Sequence, residues 1–270
     1  DDLLNKINRK TKAVIFVGIG GNTGQYNKIK QICDDNDIKL ILDAAHMAGT
    51  KMTKEFEFGT YQSQAGWDAD VSIFSFQAVK NLPTADSGMI CFANKDYDGL
   101  ARKMSWLGID KDTFSRTNSK GTYKWEYDVN QLGFKYHGNS IMASMAKVGL
   151  KYLDEDNEYR RSLATNYDTL LKGIKEIKIV KHNKDITSSR HLYQIRVKNR
   201  DKVMEFLNSN NIYPGVHYKS NTLHQVYKLS KNNCPKAIKY NDEIISLPMH
   251  CFLTKKDQKH VVDTLKKSIK

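Results

Sequence analysis

Four short runs dominated by apolar residues decide what the first half of this chain can become. They are residues 13–19 (AVIFVGI), 38–42 (IKLIL), 71–76 (VSIFSF) and 89–92 (MICF). Each is too short for a buried helix and lacks the polar alternation of a half-exposed strand, so each reads as a strand covered on both faces. Between the first two, residues 25–36 place Ile29 and Ile32 at helical spacing. Apolar strands alternating with helices predict an α/β fold built on a mostly parallel sheet. Residues 56–67 are polar and contain Gly59 and Gly66, which reads as a loop. Residues 141–153 (IMASMAKVGLKYL) are apolar around most of a helical circumference. Such a helix is expected to be buried, either in the core or against a partner chain.

The texture changes near residue 157. A charged amphipathic helix over 158–174 is followed by strands near 177–180 and 191–197, a helix over 200–209 and an extended segment at 213–218. The last helix opens at Thr254, an N-cap with Asp257 three residues on, and should bury Val261, Val262, Leu265 and Ile269. The expected organisation is a large domain over 1–150 and a smaller α+β domain over 151–270.

Composition narrows the class. Among the 270 residues, 40% are hydrophobic, enough for a core, and no run approaches the ~18 apolar residues of a membrane span. The first residues (DDLLNK) lack the basic-then-apolar order of a secretory signal. Cys33, Cys91, Cys234 and Cys251 are scattered. That spacing argues against zinc and against a disulfide framework, and it fits a reducing cytoplasm. The net charge of +13 is uneven: residues 1–150 carry 19 Lys and Arg against 17 Asp and Glu, and residues 151–270 carry 24 against 13. A solvated, lysine-rich surface explains this most simply, and an anionic small-molecule substrate comes next. Nucleic acid fits least, because the lysines are dispersed and not interleaved with aromatics. A membrane partner is not expected.

Three places could carry chemistry. The loop 18–24 (GIGGNTG) lies between a strand and a helix but lacks the Gly-Lys-Ser/Thr ending of a phosphate-binding loop, so it reads as a turn. Asp43 closes the second strand at the carboxyl edge, where open α/β sheets bind ligands. Its competing role is the N-cap of a following helix. His46, three residues on, could then share a helical face with Asp43, though taken alone it reads as a structural histidine. Lys80 follows an aromatic-bearing strand and has few charged neighbours in sequence. Desolvation there would lower its pKa, as a Schiff-base lysine requires.

Taken in order, ILDAAHMAGT (41–50), FSFQAVKN (74–81), SGMI (87–90), MSWLGID (104–110), LGFKYHGNSIMASMAKVGLKYLD (132–154), YRRSLATNYDTLL (159–171), HLYQIRV (191–197), YPGVHYKSNT (213–222) and IISLPMH (244–250) form one pattern. The chain resembles the sugar aminotransferases named for DegT, DnrJ, EryC and StrS, a branch of the fold-type I pyridoxal 5'-phosphate enzymes. The resemblance covers nearly its whole length. It implies that Lys80 carries the cofactor covalently and shuttles the substrate proton. Asp43 would pair with the pyridine nitrogen, His46 would lie by the cofactor ring and its phenolic oxygen, and Ser75 would reach the phosphate. Gln77 stands where many members have His, as a ring or substrate contact. Lys135 stands where many have an Asn that reaches the neighbouring subunit's cofactor phosphate, which a lysine would serve by charge. His217 and Tyr218 would contact substrate.

The implied activity is amino transfer, with glutamate as donor, to a nucleotide-linked keto-deoxysugar in amino-sugar and polysaccharide biosynthesis. The implied assembly is a homodimer with shared sites. Related dehydratases carry His in place of this lysine, and Lys80 is retained, which favours transamination. A dehydratase on the same scaffold and a truncated non-catalytic relative are the alternatives. The second arises because the resemblance implies that about the first quarter of a typical member, with its phosphate-binding Gly-Thr turn, would precede Asp1.

Overall fold

The first two apolar runs lie side by side, and the third joins them. The computed structural model describes residues 1–56, 59–110, 127–227 and 234–269. Along the chain come α1 (Asp2–Lys6), β1 (Ala13–Val17), α2 (Tyr26–Asp35), β2 (Lys39–Asp43), β3 (Lys51–Phe56), β4 (Gly59–Gln64), β5 (Val71–Ser75), β6 (Gly88–Phe92) and α3 (Lys95–Ser105). After them come α4 (Ser140–Gly149), α5 (Leu153–Leu171), β7 (Lys178–Ile179), β8 (Ile186–Thr187), β9 (Tyr193–Arg196), α6 (Arg200–Ser209), α7 (Pro235–Glu243), β10 (Ile244–Leu247) and α8 (Lys255–Ser268). They form two compact units that interleave in sequence. The first comprises Asp1–Val17, Tyr26–Ala45 and Gly66–Lys151. The second comprises Gly18–Gln25, His46–Ala65 and Tyr152–Lys270, so it draws on two segments of the first half.

In the first unit the sheet order is β1-β2-β5-β6. β1, β2 and β5 run parallel, with Val17 opposite Asp43 and Asp43 opposite Ile73, and β6 returns antiparallel to β5. Burial on both faces, expected of all four strands, is not what the sheet shows; only one face of β2 is fully covered. Leu40 and Leu42 of β2 are fully buried, whereas Ile15 is 69% exposed and Val17, Met89 and Ile90 are also exposed. The exposure follows one face: Val17, Ile73 and Ile90 stand in one cross-strand row, and all three are exposed, although Ile73 belongs to the inner strand β5. For α4, of the two alternatives, core or partner chain, the core one falls away. None of its residues is buried, and Ile141 is 76% exposed. Its apolar surface is therefore not part of this chain's core.

The loop expected over 56–67 is also corrected. Residues 57–58 lie outside the described residues, but β3 and β4 pair as an antiparallel hairpin from Lys51↔Gln64 to Phe56↔Gly59. Ladder hydrogen bonds come from the backbone, so a strand rich in Gln, Ser and Thr forms without the apolar signature that reveals others. β3 pairs on its other side with β8, through Met52↔Ile186, which fastens residues 46–65 to the second unit.

That unit's core lies between an antiparallel β10-β9-β7 sheet and its helices. Leu163, Tyr167, Tyr193, Ile195, Leu207, Ile245, Val262 and Leu265 are almost completely buried there. The expected capping box at the start of α8 is present, with Thr254 and Asp257 each satisfying the other's backbone N–H. Such a cap contributes about 1 kcal/mol. The segment 213–218, expected to be extended, joins the sheet through the Gly215↔Ser246 bridge. Among the described residues no helix is long and apolar enough to cross a membrane.

Gly66 ties the end of β2 to the start of β5. Its φ is +86°, and an added Cβ would lie 2.3 Å from Leu42 Cδ2 and 2.7 Å from Ser72 Oγ. Ser72 Oγ also donates to the Gly66 carbonyl at 2.6 Å. Gly66→Ala is therefore expected to destabilise the fold by about 1–3 kcal/mol. A Cβ added to Gly99 of α3 would meet nothing within 4 Å, so Gly99→Ala should be neutral or stabilising by up to ~1 kcal/mol. Urea denaturation of both variants checks the contrast.

Candidate active site

Parallel pairing brings the carboxyl ends of β2 and β5 to one edge, and each strand delivers an ionisable residue there. Asp43 ends β2, and its Oδ1 accepts the Ala45 N–H at 3.0 Å. The Ala44 N–H donates to the Ile73 carbonyl at 2.8 Å, which fixes the exit of the chain. No helix follows: residues 44–50 are turns. The capping role for Asp43 is thus removed, and with it the shared helical face expected for His46.

Lys80 lies in the connection from β5 to β6. That connection is pinned by Phe76 N–H to the Ser87 carbonyl (2.8 Å), Ala78 N–H to the Ala85 carbonyl (2.7 Å), Thr84 N–H to the Phe76 carbonyl (2.8 Å) and Lys80 N–H to the Gln77 carbonyl (2.9 Å). The Lys80 side chain is partly buried, and burial pushes its pKa below the usual lysine range, while the Asp43 carboxylate pulls it back up. The net direction is down, so desolvation outweighs the attraction. Among the described residues its ammonium has no hydrogen bond or ion pair.

The neighbours in this turn use their side chains locally. Gln77 N–H donates to Ser75 Oγ at 3.4 Å, and Gln77 Oε1 accepts the Val79 N–H at 3.0 Å. An accepting Ser75 oxygen retains its own proton to donate. Gln77 keeps its amide NH₂ for a further acceptor.

The second unit holds a separate aromatic group. His46 is 6% exposed, and its Nδ1 accepts the Gly20 N–H at 3.2 Å. A backbone N–H can only donate, so a neutral His46 carries its proton on Nε2, which lies 3.0 Å from Tyr218 Oη. The His191 ring centroid is 4.3 Å from that of His46. Ser189 Oγ donates to the His46 carbonyl at 2.8 Å. His217 Nδ1 is 2.8 Å from Ser246 Oγ, and its carbonyl accepts from Gln194 Nε2 at 2.9 Å. The structure thus brings His46, His217 and Tyr218 into one cluster. It adds His191, for which the run HLYQIRV gives no sign of a role beyond opening a strand. The glycine loop 18–24 finds its use here too. Gly20 and Gly21 have φ of +67° and +84°, and a Cβ on Gly21 would lie 2.3 Å from Ser189 Oγ.

Lys135 is held elsewhere. Its Nζ lies 3.6 Å above the Trp106 ring, beside the backbone bridge between these two residues. His137 packs edge-on against the same indole at 4.1 Å.

A mainly parallel sheet whose strand β2 ends in Asp43, with Lys80 in the connection after β5, places a candidate site at the carboxyl edge, where sheets of this kind bind ligands. The profile of the DegT/DnrJ/EryC1/StrS aminotransferase family matches residues 1–266, and the chain belongs to that family. An uncharacterised protein of Methanocaldococcus jannaschii is 29% identical over all of this chain and 70% of its own length. The dTDP-4-dehydro-2,3,6-trideoxy-D-glucose 4-aminotransferase of Saccharopolyspora spinosa is 26% identical over all of this chain and 68% of its own. Among solved structures, the Streptococcus pneumoniae protein Spr1654 in its PMP form is similar with a TM-score of 0.86 and 28% identity, over 98% of this chain and 71% of that one. The same protein has also been solved in a PLP form. The fold is that of the fold-type I sugar aminotransferases.

The opposed influences on Lys80 give a measurable signature. Its amine should titrate below the other lysines, and Asp43→Asn should lower it further by removing the attraction of the carboxylate. NMR of ¹³C-methylated lysines against pH reads both values. A Lys80 signal that rises in Asp43→Asn would contradict the arrangement.

Proposed function

We propose that this protein transfers an amino group from an amino-acid donor, glutamate, to the keto group of a nucleotide-linked deoxysugar, using pyridoxal 5'-phosphate. The observation that carries this reading is Lys80, a desolvated lysine coupled to Asp43, in a chain of this aminotransferase family. The amine is partly buried and, among the described residues, has no ion-pair partner, as a covalent anchor needs. Asp43 commits Oδ1 to Ala45 and leaves Oδ2 for a protonated ring nitrogen. Ser75 keeps a hydroxyl proton for a phosphate oxygen. These residues fit the cofactor.

Pyridoxal phosphate, when bound, supplies the ring that accepts electrons from the substrate carbon. Lys80 Nζ, its pKa lowered by desolvation, takes the proton from the donor's α-carbon and later returns one to the sugar carbon that receives nitrogen. Asp43 keeps the ring nitrogen protonated by its charge. His46 is assigned to the cofactor's phenolic oxygen, and Gln77, His217 and Tyr218 to substrate. The activated-sugar substrate of the Saccharopolyspora relative supports the substrate class, and the basic excess after residue 150 suits a diphosphate. Borohydride reduction of the cofactor-loaded protein should place the phosphopyridoxyl group on Lys80. Asp43→Asn should keep that label and lose about 10²–10³-fold in turnover. Labelling of a different lysine would end the assignment.

We propose further that the protein is a homodimer with shared sites. Support comes from α4, whose Ile141, Met145 and Val148 are exposed, and from Leu132 at 93% exposure and Phe134 at 50% close by in sequence. Apolar surface of this extent marks an interaction face. Lys135 lies within the same stretch, and in a dimer it exchanges the Trp106 ring for the partner's cofactor phosphate. Mixing Lys80→Ala chains with Lys135→Ala chains, each inactive alone, should restore one working site per mixed dimer. Sites contained in single chains predict no recovery.

A further inference from the structure

The second unit contains a cavity of about 540 Å³ that includes none of the residues assigned to amino transfer. It lies at one end of the β10-β9-β7 sheet, where Lys178 of β7 stands opposite Arg196 of β9. Lys175, Lys198 and Lys202 complete its basic wall.

Electrostatics at this cavity runs against local preference in three ways. Like charges directly opposite on paired strands repel, and Lys178 faces Arg196. Arg196 is neutralised, since its guanidinium bonds Glu243 Oε2 at 2.9 Å and stacks 4.1 Å from the Tyr240 ring, but Lys178 is not. Lys202 occupies the first turn of α6, where the helix dipole disfavours a cation. Asn199, the N-cap of that helix, lines the cavity in a left-handed conformation (φ +53°) and makes no capping hydrogen bond with its side chain. Among the described residues none of the four lysines has an ion-pair partner.

Two features oppose this field. One is the Glu176 carboxylate. The other is the carbonyl end of α8, which reaches the wall through Ser268 and Ile269. A helix end carries about half a charge, so the α8 terminus cancels the N-terminus of α6 and no more. Four lysines against one unpaired carboxylate leave the cavity strongly positive. Its volume falls in the range of about 300–1,000 Å³ typical of small-molecule sites. Sites that break local rules together are where function is expected.

We propose that this cavity binds a small, multiply charged phosphate compound, of diphosphate or triphosphate size, at a site distinct from the cofactor and sugar. The Lys175, Lys178, Lys198 and Lys202 ammonium groups clamp its oxygens, with the open backbone N–H groups of the first α6 turn behind them. Binding here is independent of amino transfer.

Calorimetry with inorganic tripolyphosphate at low salt tests it on the full chain. Binding with one site per chain is expected, weakening as salt rises. Lys178→Ala/Lys202→Ala should weaken it at least about tenfold, Glu176→Gln should tighten it, and circular dichroism should show both variants folded. Lys255→Ala/Lys256→Ala, on the first turn of α8, and Lys80→Ala should leave it unchanged. Three results would overturn the proposal: no saturable binding, equal losses in the two lysine pairs, or loss in Lys80→Ala, which would assign the anion to the active site.

Discussion

The pairing of β2 with β5 is the constraint on which the candidate site rests. Parallel register sets Asp43 opposite Ile73, so both strands run out at the same edge and the residues beyond them share one environment. What that environment does is a contest of two effects. A unit charge pair at 4 Å is worth about 1 kcal/mol in water and about 4 kcal/mol near a protein surface. The Lys80 amine is nonetheless held below its usual range, so the loss of hydration outweighs what Asp43 returns. Asp43 is therefore near enough to be felt, and among the described residues it is not tied up in an ion pair.

Much of this was legible in the sequence for a simple reason. Buried strands must be apolar, and the edge where they stop must be polar, so the runs before Asp43 and Lys80 announced both the sheet and the edge that carries the candidate site. What stayed hidden has equally physical causes. The β3–β4 hairpin is polar because its cohesion comes from backbone pairing. α4 reads by composition as core or partner-facing, and Ile141 lies in the open; composition reports that a surface needs covering and not what covers it. The role of His46 depends on Gly20 and Tyr218, 26 and 172 residues away, and no local pattern encodes such distances.

The second unit shows how a loop that reads as a mere turn acquires a purpose. The chain at 18–21 offers one N–H to an imidazole nitrogen, and that single donor decides which tautomer His46 adopts. Gly20 and Gly21 take the positive φ values that this approach requires. The histidine, the tyrosine and the turn are specified together, so the glycines belong to the chemistry of the cluster as much as to its shape.

The direction of β6 has one further consequence. A parallel sheet ordinarily returns its chain through a long crossover, but β6 runs antiparallel to β5, so Lys80 sits in a short connection fastened at both ends to the same ladder. Such a connection has a fixed length the way a bridge span does. Substitutions within it alter its surface, whereas an inserted or deleted residue shifts the amine relative to Asp43 while the sheet remains intact. In the evolution of this protein, residues 76–87, apart from Gln77 and Lys80, should therefore tolerate changes of letter far more readily than changes of number.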